Sequence, residues 1–387
     1  MIVVYHTFYV SGFTTLHAES IGAYIDRLNV GVAIFFVLSG FLIFRPFVHS
    51  LLHNSSPPKA SSYFLKRAAR ILPGYWCALF ILASVDALTI KNFSGFSRNI
   101  FLVHAFTIEG LFSGVTQAWT LTVEMSFYLL VPLFTYLVAV RLKRANSPLP
   151  VQTIVRALAC IFIGSYIFRL FIHSTHFWFL STAHIMLPAQ MDTIALGMFI
   201  AVLVESPENA AKFSKIKNFI SGHSGAFVLG SVLVWILSAN INMSIGLTKT
   251  EFHIELFCHF LYGVSAFLLV SPFCIATPSL LSKVLSFRIF TWFGTISYGV
   301  YLWHMAFLSG NFAERHMPYN ENDGQVLTRF LVVVPLSIVL ATLSYYFLER
   351  PIMRLVGRDS RKALSKTFSR GDARDPVAIS QTFSIRK

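Results

Sequence analysis

The chain has 387 residues, of which 55% are hydrophobic and only 12% charged, with a net charge of +14 and a mean hydropathy of +0.65. A soluble globular chain averages about 25% charged residues, so this composition excludes an ordinary soluble domain and points to a bilayer. Apolar runs recur to the end of the chain, which excludes a lone signal peptide. The positive charge is split among short loops with no single basic stripe, which excludes a nucleic-acid binder.

A membrane helix needs about 20 mainly apolar residues, because unpaired backbone groups cannot face lipid, and about ten segments meet that rule. In chain order they are Met1–Leu16, Val30–Leu51, Ile71–Ile90, Leu121–Val140, Ile154–Ile172, Leu187–Val204, Ala226–Ala239, Ile254–Thr277, Ile289–Leu308 and Arg329–Leu348. Most of the 31 Lys and Arg fall on one side of this arrangement: around Arg45–Arg70, Arg141–Arg156, Lys212–Lys217, Lys283 and Arg288, and after Arg350. That bias predicts an all-α polytopic membrane protein with both termini cytoplasmic. Residues 1–355 read as one membrane domain and 356–387 as a basic, disordered tail.

Ionisable groups inside spans are expensive, so each one asks for a reason. The first span, MIVVYHTFYVSGF, carries His6. Its ring is either a neutral hydrogen-bonding group or a general base, since imidazole titrates near neutral pH. Met1–Leu16 would reach about 24 Å at 1.5 Å per residue, short of the roughly 30 Å core, so the native helix is expected to begin upstream of Met1. The second span, GVAIFFVLSGFLIFRPF, is interrupted by Ser39-Gly40. Small residues there allow close helix packing, or a gap that admits an acyl chain or a pantetheine arm.

The third span is preceded by YFLKRAARILPGYW, with Lys66, Arg67 and Arg70. These charges hold a loop inside, or they grip the phosphates of a cytoplasmic donor. Between the third and fourth spans, NIFLVHAFTIEGLF is apolar but too short to cross, and is predicted to be re-entrant or interfacial. The fourth span opens with QAWTLTVEMSFYLL, where Glu124 either complements the helix dipole, with Thr120 or Thr122 capping, or orients an imidazole or an acceptor hydroxyl. Arg169, Asp192 and His304 follow in later spans, the last two as structural polar bonds or pathway residues. The cysteines, Cys77, Cys160, Cys258 and Cys274, form no CxxC and read as small buried hydrophobes; no metal is expected.

Taken in order, the His6 helix, GVAIFFVLSGFLIFRPF, YFLKRAARILPGYW, WTLTVEMSFYLLVPL, ISYGVYLWHM and SYYFLERPIMRL resemble the acyltransferase-3 family of bacterial membrane enzymes, over residues 1 to about 355. The resemblance implies transfer of an acyl group, acetyl from acetyl-CoA first, onto a hydroxyl of a carbohydrate, glycolipid or macrolide at the inner (plasma) membrane, with no permanently bound cofactor. It puts the family's first-helix histidine on His6 and its acyl-CoA arginine pair on Arg67 and Arg70, with Lys66, Ser39 and Gly40 beside the donor. Its WSL-x-x-E motif falls on Trp119, Leu121 and Glu124, with Thr120 in the serine position. The Asp that many members carry in the stretch aligned with LNVGVAIFF is absent, Asn29 and Ala33 standing there. Some relatives also carry a C-terminal SGNH hydrolase-like domain, so an acyl relay to such a domain would need a separate protein here. The competing expectation is a transporter or flippase for an envelope lipid or glycan, using His6, Glu124 and Asp192 as a polar pathway.

Overall fold

Apolar runs of membrane length become helices because only a helix satisfies every backbone N–H and C=O within its own segment. The computed structural model describes residues 1–85, 88, 90, 92–111, 113–145, 150–174, 182–245, 252–275, 280–308 and 323–357, and every regular element among them is helical. The principal helices are α1 (Ile2–Val10), α2 (Val30–Leu52), α3 (Ala60–Ser84), α4 (Trp119–Ala145) and α5 (Pro150–Ser174). They continue with α6 (Leu187–Glu205), α7 (Ser224–Ile245), α8 (Phe252–Ile275), α9 (Arg288–Trp303) and α10 (Asp323–Ser344).

Among the described residues, seven helical stretches are long and apolar enough to cross a membrane: Ile21–Leu52, Thr116–Arg144, Pro150–Ser174, Ala183–Glu205, Ser224–Ile241, His253–Ile275 and Val326–Gly357. Three of the predicted spans fall short of that test. The first is broken, because Gly12 turns left-handed at φ 76° between α1 and a single turn over Phe13–Leu16. The third is a continuous helix, but it begins at Ala60, and Lys66, Arg67 and Arg70 dilute its apolar content. The ninth gives 16 residues of α-helix before tightening into a 3-10 turn over His304–Phe307. The described part of NIFLVHAFTIEGLF holds the end of Phe93–Ile100 and then the short pieces His104–Phe106 and Ile108–Leu111, none able to span. The predicted tail from residue 358 onward lies outside the described residues.

The centre of the bundle is the α2–α6 pair. In the most apolar window of the α6 span 72% of residues are buried, against 17% in that of α7, so α6 is a core helix and α7 a peripheral one. The two central helices run parallel and cross at glycines. A Cβ on Gly40 would collide with the Ile194 carbonyl, and one on Gly197 with the Val37 carbonyl. Gly40 is therefore where two backbones touch, as the packing account of small residues requires. Ahead of α2, Arg27 donates from Nη1 to the Tyr262 hydroxyl at 2.9 Å, and its carbonyl accepts from Trp235 at 3.1 Å, tying this segment to α7 and α8.

Candidate functional site

A cavity of about 560 Å³ opens where α2, α3, α4 and α9 diverge, with Ile2 of α1 at one wall. Glu124 projects into it from the second turn of α4, and is only 9% exposed. Its Oε1 accepts from the Tyr128 hydroxyl at 2.6 Å and from the Ser39 hydroxyl at 3.4 Å. The i,i+4 spacing on one helix face brings Tyr128 beside Glu124. Both bonds fall on the same carboxylate oxygen. The fixed carboxylate thus presents its second oxygen without calling on these partners.

Arg67 and Arg70 line the same cavity from α3. The Arg67 guanidinium stacks over the rings of Tyr63 at 5.9 Å and Tyr128 at 5.5 Å. Tyr128 therefore touches both the carboxylate and the cation. Neither arginine is ion-paired among the described residues, so two guanidinium groups face the cavity with their donor forks available. Lys66 is exposed on α3 and does not line the cavity. Ser39 lines it, whereas its neighbour Gly40 does not.

Two motifs about 180 residues apart in the chain are stitched together beside this cavity. Gln117 donates from Nε2 to the Leu302 carbonyl at 2.7 Å, and the Tyr301 hydroxyl donates to the Gln117 carbonyl at 2.7 Å. Thr120 shares a 2.9 Å bond with the same Tyr301 hydroxyl. Thr120 and Tyr301 both line the cavity, and Trp119 packs edge-on against Phe36 at its back.

His6 is found against His304. His6 Nδ1 lies 2.7 Å from His304 Nε2, and the near-parallel rings meet at 11°. His304 is fully buried, and its Nδ1 lies 2.7 Å from the Tyr301 carbonyl. These contacts order the protons. A carbonyl only accepts, so His304 Nδ1 carries hydrogen; a neutral His304 then offers Nε2 as an acceptor. His6 must donate from Nδ1, which leaves the lone pair on His6 Nε2. The ring is half-buried and sits one helical turn from cavity-lining Ile2, on the same face of α1.

Asp192 belongs elsewhere. On α6 its Oδ2 is 2.7 Å from Nε2 of His259 on α8, while Oδ1 accepts from Ser165 at 3.3 Å and from Thr193 at 3.2 Å. Arg169, 9% exposed on α5, belongs to the same buried neighbourhood. None of these residues lines the cavity. Of His6, Glu124 and Asp192, only Glu124 is among the residues lining this cavity.

Two of the tyrosines lining the cavity are silent in the sequence. Tyr128 and Tyr301 carry no charge, and nothing in an apolar helix sets such tyrosines apart from core aromatics. Glu349, just beyond the last predicted span, is a further buried carboxylate and is not among the residues lining the cavity. It is 3% exposed, accepts from Ser344 at 2.8 Å and presses against Gly74 of α3. An ionisable residue in LERP, next to an apolar run, was the available signal.

A family model described as an acyltransferase domain matches residues 1–348. The chain is 26% identical over 350 residues to the peptidoglycan O-acetyltransferase OatA of Listeria monocytogenes, covering 84% of this chain and 51% of that protein. It is 25% identical over 398 residues to the putative peptidoglycan O-acetyltransferase YrhL of Bacillus subtilis, covering 90% of this chain and 55% of that protein. A putative O-acetyltransferase of Staphylococcus aureus is 22% identical over 377 residues, covering 89% and 58%. The chain thus spans little more than half the length of these relatives. No solved structure matches it.

Proposed function

The chain belongs to the acyltransferase-domain family, and on that premise we propose that it is a plasma-membrane O-acetyltransferase that moves acetyl from acetyl-CoA to a hydroxyl of a cell-wall carbohydrate. It is a multi-pass membrane protein. Peptidoglycan is the acceptor named for the relatives, and it has the required chemistry: a carbohydrate polymer bearing free hydroxyls.

The observation that carries the reading is the hydrogen-bonded series from the Tyr301 carbonyl through His304 to His6, set beside a cavity that holds one carboxylate and two arginines. In the proposed reaction Arg67 and Arg70 bind the donor's phosphates, as planar guanidinium groups do best. The thioester enters the cavity past Ser39. His6 Nε2 takes the proton of the acceptor hydroxyl as its oxygen attacks the thioester carbonyl, and the bond to sulfur then breaks. Coenzyme A leaves as thiolate and takes up the proton from His6, while the acceptor keeps the acetyl group as an ester. His304 acts as a positioning residue that fixes the His6 tautomer. Glu124, held by Tyr128 and Ser39, orients the acceptor hydroxyl.

The test is covalent. Purified protein in lipid vesicles is given acetyl-CoA labelled in the acetyl group together with peptidoglycan fragments. Label should appear on the fragments as a base-labile ester. Movement of unmodified substrate, indifferent to acetyl-CoA, would instead establish a transporter.

A further inference from the structure

At the C-terminal ends of α2 and α6, away from the residues assigned to acyl transfer, two side chains of α2 and that of His53, which caps it, converge on Glu205 of α6. Arg45 donates from Nε to Glu205 Oε1 at 2.7 Å. His49 Nδ1 lies 2.8 Å from Glu205 Oε2. His53 Nε2 lies 3.1 Å from the Glu205 carbonyl and 3.8 Å from Oε2. Glu205 is 11% exposed, so this charge is largely removed from water. A carboxylate at a helix C-terminus also meets the negative end of the dipole. The place therefore favours a cation for two separate reasons.

We propose that His49, His53 and Glu205 form a binding site for a zinc-class divalent cation that ties the C-terminal end of α2 to that of α6.

The spacing is what such an ion requires. His49 lies in the last turn of α2 and His53 caps that helix four residues on, so both rings reach the same side of its end. Their ligand nitrogens and the Glu205 oxygen all lie within 4.8 Å of one another. Two donors bound tetrahedrally at about 2.0–2.1 Å stand about 3.3 Å apart. The observed 2.8 and 3.8 Å from Oε2 to the two histidines bracket that separation. The ion would sit between the three donors. Two imidazoles and one carboxylate select a borderline transition cation over magnesium or calcium, which demand oxygen ligands.

Arg45 fits the same arrangement. Its bond to Oε1 orients the carboxylate and leaves Oε2 for the ion, the usual outer-shell arrangement around a metal-binding carboxylate. Binding needs each histidine to present a lone pair, so His49 would keep its proton on Nε2 and His53 on Nδ1. Three protein ligands leave a fourth position for water. No step of acyl transfer passes through this site. The sequence hid it because HxxxH supplies only two of the three protein ligands, and Glu205 lies about 150 residues away.

The test uses the purified full chain in detergent, stripped with chelator and titrated with Co²⁺ and then Zn²⁺. A single equivalent of Co²⁺ should give the visible absorption bands of a tetrahedral nitrogen–oxygen site. Zn²⁺ should displace it and raise the midpoint of thermal unfolding. His53→Ala leaves the Arg45–Glu205–His49 contacts in place and should weaken binding of both ions by about tenfold or more. Should that variant be unstable, His53→Asn keeps a donor toward the Glu205 carbonyl and should show the same loss. Equal affinity in wild type and in a folded His53 variant would overturn the site, as would the absence of saturable binding by wild type.

Discussion

Two buried carboxylates in this membrane protein have opposite surroundings. Asp192 has both oxygens engaged, by His259, Ser165 and Thr193, and it borders no part of the cavity. Glu124 is bonded through Oε1 alone among the described residues, and it faces a cavity that also receives Arg67 and Arg70. Their sequence contexts look alike, each an acidic residue near the start of an apolar helix. The difference teaches that membrane burial alone does not mark a reactive group. A carboxylate whose bonds are complete holds helices together, whereas one left partly free beside a cavity with cations is available to a substrate.

The largest expected effect is at His6. His6→Ala should lower acetyl transfer by about 10²–10⁴-fold, the range for a lost general base, measured as labelled ester per mole of folded protein. His304→Ala should lower turnover less. His304→Gln, whose amide can accept from His6 Nδ1, should recover part of it, and recovery by glutamine alone distinguishes positioning of the tautomer from simple cavity filling. Arg67→Gln with Arg70→Gln should raise the acetyl-CoA KM about tenfold or more with a smaller change in kcat, since ground-state donor binding is what they supply. An unaltered donor dependence would remove the clamp. The smallest effect on catalysis is expected at Asp192: Asp192→Asn should cost about 1–3 kcal/mol of stability by disturbing a completed hydrogen-bond network, read as a lower unfolding midpoint, with kcat near wild type.

Much of this contrast was legible in the sequence, and its limits have physical causes. The α2 and α4–α8 spans follow from apolar length, and the residues that gather at the cavity, Ser39, Arg67, Arg70 and Glu124, stood out as polar groups in apolar helices. Gly40 carries two readings, close packing or a gap for a donor, and it stands where the α2 backbone meets that of α6. Partnerships were not legible. His6 and His304 are 298 residues apart, and only packing of α1 beside the end of α9 brings them to 2.7 Å. His259 gave no sign of belonging to Asp192 for the same reason. The breaks inside the first and ninth predicted spans were not legible, because hydropathy counts apolar residues across a glycine break or a 3-10 turn without registering either.

The most direct measurement sets the two regions side by side: turnover with labelled acetyl-CoA and the thermal midpoint, both determined on His6→Ala and Asp192→Asn in the same vesicles. The expected result is a crossed pattern, in which His6→Ala loses turnover and keeps its midpoint while Asp192→Asn keeps turnover and loses midpoint. Full acetyl transfer by His6→Ala, or loss of turnover in an Asp192→Asn protein of wild-type stability, would contradict the assignment of chemistry to the His6 side of the bundle.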